Sequence, residues 1–450
     1  MQNGGGNPED YDFEGVFESQ IDWQNQYSLR NWITRLNLDC RGDALIISLF
    51  GSYEFFGQLV ACMVFPPLAD LFGRKLFTFI GMGLQTFVFI GLIAFKKYQA
   101  YYLLIFVLGN AVIIRYLIAY AHLMEFVAQK QNLITGVFLF LDGLVYIYSP
   151  MFLMYIVHST QYFVWIALGI SLFSIFLLGF IFHMPESLKY SLAKQDISKF
   201  ENDMDYICEM NKATDAQRDH INQLVIRYCD QVRLEKQSAK AEKEAQLGQR
   251  QKISRLCKDK ESLYNLALMI VTWVSTSFTY FLVIFLVKYL PGSLYMNQMV
   301  SGFSVIGYLI VPMLAPKFDN RRIMLMGYII SIVFLMAMLL YETEFLETAG
   351  EFTYSVIFFL FKTGVSMVFI SLFVIHQDLF STKFLATSYG LCNTVSRVAT
   401  LAAPIAAEIS NRAIPVGIML ALNVIALIAA YFLKMKDIRR HTQLSSASSL

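Results

Sequence analysis

Residues 68–75 read Leu-Ala-Asp-Leu-Phe-Gly-Arg-Lys, and they separate two long apolar stretches. Each stretch has the roughly 20 apolar residues that a bilayer-crossing helix needs. The turn between them places an acid, Asp70, before a glycine and two bases, Arg74 and Lys75, after it. Because the two ends of a helix carry partial charges of opposite sign, such side chains can hold neighbouring helices together or release them. The segment predicts a charged gate between two membrane helices.

The composition is that of an integral membrane protein. Of the 450 residues, 56% are hydrophobic and only 16% are charged, a balance far more apolar than that of soluble proteins. The net charge of +2 and the scattered bases argue against nucleic-acid binding. Hydropathy predicts about eleven membrane-spanning helices. They lie near residues 45–68, 76–95, 101–124, 133–157, 162–182, 263–287, 297–314, 323–340, 354–375, 384–407 and 414–433. The expected fold class is an all-α membrane protein.

The predicted spans form two groups, which a long polar segment separates. Bases are concentrated in the loops on the same side as this segment, so the positive-inside rule places that side in the cytosol or an equivalent compartment. An odd number of spans then places the N-terminus on the opposite face. The expected units are a polar non-membrane segment, 1–44; an N-terminal bundle of five spans, 45–183; a cytoplasmic amphipathic linker, 184–260; a C-terminal bundle of six spans, 261–434; and a cytoplasmic tail, 435–450.

Four short motifs resemble those of a known family. Residues 70–75 fit the D-x-x-G-R-[RK] loop of the major facilitator superfamily. Residues 185–192 are similar to the P-E-S-x-R-[WY]-L turn of its sugar and organic-ion carriers, with Lys189 in place of the usual arginine. Residues 378–382 and 36–40 resemble E-L-[YF]-P-T and E-W-N-L-V-C. Together the motifs resemble the organic cation/anion transporter family, which implies two helical bundles that rock against each other in alternating access.

The resemblance implies a first helix that residues 1–35 do not supply, so either the start of the sequence is misplaced or cut, or the protein folds with eleven spans. In the family, a first membrane helix and a long external loop precede the motif that residues 36–40 resemble, whereas residues 1–35 are polar. We therefore expect the N-terminal bundle to have an open groove at the position of helix one. A lipid or a neighbouring subunit would fill that groove, because polar walls cannot face hydrocarbon without a large energetic cost.

The resemblance also implies a set of gating residues. The acid of the loop, Asp70, is expected near the N-terminus of the tenth span and on the same face as the linker. Arg115 with Glu125 resembles the R-[FY]…E pattern of the family's fourth helix. The expected conformational gate comprises Asp70, Gly73, Arg74, Lys75, Arg115, Glu125, Glu186 and Asp378.

Ionisable side chains within the spans are candidates for substrate binding, because a charge in the bilayer is costly unless it is paired or faces water. Arg397 lies where the family's organic anion carriers have an arginine and its organic cation carriers an aspartate. An arginine there would offer donors that match a carboxylate or sulfate. The alternative, internal pairing with Asp142 or Glu54, remains open. The candidate substrate-binding residues are Arg397, Asp142, Glu54, Lys362, Trp273 and Tyr280.

The sequence fits two different functions. The first is a secondary transporter of small organic ions, with anions preferred, in the plasma membrane by family default or in an internal membrane such as the mitochondrial inner membrane. The second is a transport-incompetent structural subunit of a larger membrane complex. Partners would be the bilayer with a small organic ion, or neighbouring membrane subunits. No catalytic motif, cofactor site or metal-ligand spacing is present in the sequence.

Overall fold

A computed structural model describes residues 28–38, 44–126, 131–181, 184–194, 197–214, 216–218, 221, 223, 260–343, 350–380 and 382–434. Within the helices, some side chains, including those of Asp70 and Lys189, lie outside the described part. The described chain is built of helices, and an isolated bridge joins Arg30 to Ser159. The all-α class expected from the sequence is confirmed.

In the described residues, the N-terminal half has a short helix first and then long ones. Asn31 caps the first helix, because its side-chain oxygen accepts from the N–H groups of Ile33 and Thr34 at 2.9 and 3.1 Å. The helices are α1, Trp32–Arg35; α2, Ala44–Phe72; α3, Arg74–Ala94; α4, Tyr98–Ile113; a π-helical turn, Ile114–Ala119; α5, Tyr120–Phe126; α6, Gln131–Tyr155; and α7, Thr160–Phe176, which a π-helical turn, Leu177–Ile181, extends.

Two shorter helices follow, and the C-terminal half then supplies the remaining spans. The helices are α8, Leu188–Lys194; α9, Ile197–Met210; α10, Lys260–Leu286, with a 3-10 turn at Val287–Tyr289; α11, Leu294–Phe303; α12, Ile306–Leu314; α13, Asn320–Glu342; α14, Gly350–Leu379; α15, Thr382–Thr400; α16, Ala403–Ala407; and α17, Ala413–Tyr431. Pro404 lies in the first turn of α16, where its missing N–H removes no helical hydrogen bond.

Helices occupy all eleven expected positions. Nine helical stretches in the described part of the chain are long and apolar enough to cross a membrane. The helices α6 and α15 occupy the two remaining expected positions. The described residues begin at 28 and omit 39–43, so the expected absence of helix one and its groove stay predictions.

The larger apolar core lies in the C-terminal half, where α13 packs along α14 and α17 packs against α10 and α13. Fully buried side chains such as Leu335, Phe358 and Phe361 fill the space between these helices. Among the described residues, the two halves meet chiefly where α6 packs against α11 and where α2 packs against α15 and α16. Ser52 on α2 donates to the carbonyl of Leu401 across the second contact, at 2.9 Å.

Candidate functional site

The gate predicted from residues 68–75 is organised by the carboxylate of Glu186. Its Oε1 accepts from the backbone N–H groups of Arg74 at 3.0 Å and of Lys75 at 3.1 Å. The helix α3 begins at Arg74, so these are N–H groups that no helical carbonyl can satisfy. An acid at this end also complements the positive end of the helix dipole. Glu186 therefore fixes the start of α3 to the segment after α7.

Arg74 extends these contacts to a third segment. Its guanidinium forms an ion pair with Glu125 of α5, and the hydroxyl of Ser187 also donates to Glu125. The neighbouring His122 is fully buried. We call Gly73, Arg74, Glu125, Glu186 and Ser187 the Arg74 cluster. It joins α3, α5 and the segment before α8 at one end of the N-terminal half.

The structure brings together some of the predicted gate residues and separates others. Gly73, Arg74, Lys75, Glu125 and Glu186 lie in or beside the Arg74 cluster. Asp378 instead accepts from the side-chain amide of Asn320 at 2.9 Å, within the C-terminal half, and Arg115 is exposed in the π-helical turn. The side chain of Asp70 is outside the described part, so its predicted place near the tenth span is not addressed.

Arg397 lies where the two halves meet. Its guanidinium donates to the side-chain oxygen of Gln58 on α2, and the amide of Gln58 donates to Glu54 at 3.1 Å. The ring of Phe281 lies 5.3 Å from the guanidinium carbon, within cation–π range. We call Arg397, Gln58 and Glu54 the Gln58 bridge. Gln58 was not predicted, although its position four residues after Glu54 places both on one helix face.

A second buried base, Lys362, lies among tyrosines. Its side chain is only 3% exposed, and its Nζ donates to the hydroxyl of Ser301 at 2.6 Å. The Nζ lies 5.2 Å from the ring centre of Tyr280 and 5.7 Å from that of Tyr146. The side chain of Tyr280 also lies near those of Tyr146 and Tyr308. We call Tyr146, Tyr280 and Tyr308 the tyrosine cluster.

The remaining candidates lie at different places around these groups. Asp142 is exposed on α6 and acts electrostatically on all three members of the tyrosine cluster. Trp273 is 2% exposed and packs edge-on against Phe373 and Tyr389, with ring centres 5.1 and 5.3 Å apart. Trp273 is therefore a packing residue of the C-terminal half in this conformation.

A cavity of about 890 Å³ lies at the opposite end of the N-terminal half from the Arg74 cluster. The volume is within the range of small-molecule sites. The guanidinium of Arg35 is fixed in its wall by the carbonyls of Leu92 and Ile93, at 3.0 and 2.6 Å. The walls include Arg30, Arg35, Trp32, Trp165, Glu54 and Phe285. The cavity thus reaches the Gln58 bridge through Glu54.

Comparison with known proteins agrees with these features. The family model described as the Major Facilitator Superfamily matches residues 33–404. Solute carrier family 22 member 4 of Mus musculus is 24% identical over 410 residues, which are 89% of this chain and 69% of that protein. Organic cation/carnitine transporter 2 of Homo sapiens is 23% identical over 417 residues, 89% and 68% of the two chains. A Caenorhabditis elegans protein, F23F12.3, is 21% identical over 407 residues, which are 87% of this chain and 75% of that protein.

A solved structure shares the fold. The xylose transporter XylE from E. coli, in an inward-open conformation, matches with a TM-score of 0.62 over 94% of this chain and 92% of that one, at 10% identity. The helices and the polar groups between the halves define a multi-pass transporter fold. The chain belongs to the major facilitator superfamily. Its predicted resemblance to the organic cation/anion transporters is confirmed by the two mammalian relatives.

Proposed function

We propose that this chain is a secondary transporter of small organic ions, with anions preferred, that works by alternating access between its two halves. The observation that carries the proposal is the Gln58 bridge. A base on α15 and an acid on α2 are joined across the contact between the halves, beside a cavity of ligand size. A polar link of this kind can be made in one conformation and broken in another, as rocking of the bundles requires.

The name of one relative supports the substrate class. One relative is named for organic cations and carnitine, and we extend only the general class of small organic ions to this chain. The preference for anions rests on charge. Arg397 stands at the position that the family resemblance associates with anion carriers, and Arg30 and Arg35 line the cavity together with one acid, Glu54. A cleft with an excess of one charge concentrates ligands of the opposite charge.

The proposed substrate residues are those of the Gln58 bridge and the tyrosine cluster, with Asp142 and Lys362 beside them. Trp273 would act indirectly, by packing behind them. The Arg74 cluster would be the conformational gate at the opposite end. The plasma membrane is the proposed location by family default, with an internal membrane as the alternative.

The test is uptake by the purified full chain in proteoliposomes. The anion probes are p-toluenesulfonate, naphthalenesulfonate and hexanesulfonate, which stay ionised, and the cation probes are phenyltrimethylammonium and tetraethylammonium. We expect saturable uptake of the sulfonates to exceed that of the cations. Faster cation uptake would overturn the anion preference. Absence of saturable uptake for every probe would overturn the carrier and favour the structural-subunit alternative.

The variant for this assay is Arg397→Asp. It removes the donor to Gln58 and places a second acid near Glu54, so we expect sulfonate uptake to fall by roughly tenfold or more, since the loss of one charged hydrogen bond is worth at least that factor. The control is Arg322→Asp, the same change at an exposed arginine. Unchanged uptake and unchanged thermal stability in Arg397→Asp would contradict a role for the Gln58 bridge.

A further inference from the structure

Lys362 is a buried base with spare hydrogen-bonding capacity. An ammonium group has three N–H donors, and the hydroxyl of Ser301 accepts one of them. The faces of Tyr146 and Tyr280 provide two cation–π contacts. Within the ranges that the structure describes, no Asp or Glu forms an ion pair with Lys362. Two donors of its ammonium form thus remain for a ligand.

The groups described around Lys362 come from four other helices. Tyr280 faces it from α10, Ser301 from α11 and Tyr146 from α6. Tyr308 of α12 lies near Tyr280, and the charge of Asp142 acts on both tyrosines. These side chains supply aromatic faces and hydroxyl groups, but no neutralising carboxylate in salt-bridge contact with the lysine.

A buried ammonium without a counter-ion is unfavourable by several kcal/mol, whereas a neutral amine is tolerated. An organic anion beside Lys362 makes the ammonium form the favoured one. Its negative charge compensates the added proton, and its oxygens accept hydrogen bonds from the two spare N–H groups. Anion binding and protonation of the amine must then strengthen each other to the same degree, by thermodynamic linkage.

We infer that Lys362 is the site at which the anionic group of the substrate and one proton bind together, so that the chain is an organic anion–proton symporter. This inference rests on the proposed function and adds the coupling ion to it. No covalent step is involved: the amine gains one proton from solution, the anion arrives ionised, and the occupied site is neutral overall.

The position of the Lys362 site suits transport of both the organic anion and the proton. Tyr146 belongs to the N-terminal half, whereas Lys362 and Ser301 belong to the C-terminal half. Next to Ser301, Gly302 lets α11 approach α6 so closely that an added Cβ would lie 2.6 Å from Ile147. Separation of these two helices would therefore open the site, and their contact encloses it.

Calorimetry of p-toluenesulfonate binding to the purified full chain tests the inference. Titrations in two buffers of different ionisation enthalpy give the number of protons taken up per anion bound. A sulfonate stays ionised, so any proton taken up goes to the protein. For the wild-type chain we expect net proton uptake on anion binding that approaches one proton per anion as the pH rises above neutral, where the free amine is mainly unprotonated, as linkage at a single site requires.

Two substitutions of the same residue separate charge from proton binding. Lys362→Arg keeps a permanent charge, so it should bind the sulfonate without proton uptake. Lys362→Met should weaken binding by roughly tenfold or more, because it removes a charged donor. Lys317→Met, the same change at an exposed lysine, should match the wild-type chain in both affinity and proton uptake.

The possible outcomes distinguish the inference from the proposed function. If the wild-type chain binds the sulfonate without proton uptake, the inference is overturned but the proposed function is not. The same holds if proton uptake persists in Lys362→Arg, because the proton then binds to another group such as Asp142. Absence of binding for all three sulfonates would overturn the anion preference and, with it, the inference. If neither lysine variant folds, the proton count of the wild-type chain decides.

Discussion

At the scale of single residues, Gly73 has a conformation and a position that suit only glycine. Its backbone has φ 103° and ψ 149°, a region that residues with a Cβ almost never occupy. A Cβ built on it would lie 2.5 Å from Oε2 of Glu186. The absence of a side chain therefore lets the Glu186 carboxylate reach the first N–H groups of α3.

Replacing Gly73 with alanine should destabilise the Arg74 cluster. The backbone strain is worth about 1–3 kcal/mol, and the methyl group would also displace the carboxylate of Glu186. We expect a lower thermal unfolding temperature and slower sulfonate uptake in proteoliposomes.

The matched control for Gly73→Ala is Gly83→Ala in the same helix, α3. A Cβ at Gly83 meets no atom of the described chain within 4 Å, and alanine favours helix by about 1 kcal/mol over glycine. This variant should be as stable as the wild-type chain or more so. Equal effects of the two substitutions would contradict the role assigned to Gly73.

The sequence predicted which residues lie near the turn at 68–75 better than it predicted what they contact. Residues 70–75 mark the turn, and Glu125 and Glu186 were predicted through motifs. That Glu186 caps α3 could not be predicted, because its contact with Arg74 spans 112 residues. Lys362 was selected because a charge in the bilayer is costly, but its tyrosine surroundings come from three other helices.

At the scale of elements, α9 lies beside the Arg74 cluster. Phe200 and Cys208 are 3% and 4% exposed, so α9 has one buried face. Asp203 on the same helix lies near Glu186. Burial raises the pKa of the Asp203 carboxyl above its ordinary value, and the nearby charges of Lys199 and Lys75 oppose the rise only in part. Within the described residues, its Oδ2 has no hydrogen-bond partner.

Asp203→Asn should stabilise the chain at neutral pH. The pKa of the Asp203 carboxyl is higher in the folded than in the unfolded chain, because burial disfavours the ionised form. The free energy of unfolding therefore falls as the pH rises from the unfolded-state pKa to the folded-state pKa. An amide removes this penalty. We expect a thermal unfolding temperature a few degrees higher at neutral pH, with the difference vanishing below about pH 4, where the carboxyl is neutral in both states.

The control for Asp203→Asn is Asp205→Asn, at an exposed position of the same helix. It should leave the unfolding temperature unchanged at both pH values. A pH-independent gain in Asp203→Asn would show that the effect is not electrostatic.

The helices themselves were predictable, because apolar runs of membrane length leave few alternatives. The positions at which the helices are interrupted were not predictable. The π-helical turn at 114–119 and the break between α15 and α16 depend on how neighbouring helices pack, and hydropathy does not record that. Likewise, the contact of α6 with α11 joins two spans that lie in different halves of the sequence.

At the scale of the whole molecule, alternating access requires that the contact between α6 and α11–α12 opens and closes. Two glycines permit the close approach: Gly302 on α11 faces Ile147, and Gly143 on α6 faces Val305. A Cβ at Gly143 would lie 3.2 Å from the Cβ of Val305, slightly below the usual separation in a disulfide of about 3.5–4.5 Å. The pair can therefore be cross-linked with little movement.

The double variant Gly143→Cys and Val305→Cys should transport sulfonates when reduced and stop when oxidised, because a disulfide there fixes the two halves in one conformation. Reduction should restore uptake. The matched control is Gly81→Cys with Ile114→Cys, whose Cβ atoms would lie 3.1 Å apart within the N-terminal half. A bond inside one rigid bundle does not prevent rocking, so this variant should transport in both redox states. Uptake that survives oxidation of the 143–305 pair, with the disulfide verified by mass spectrometry, would mean that this contact does not open during transport.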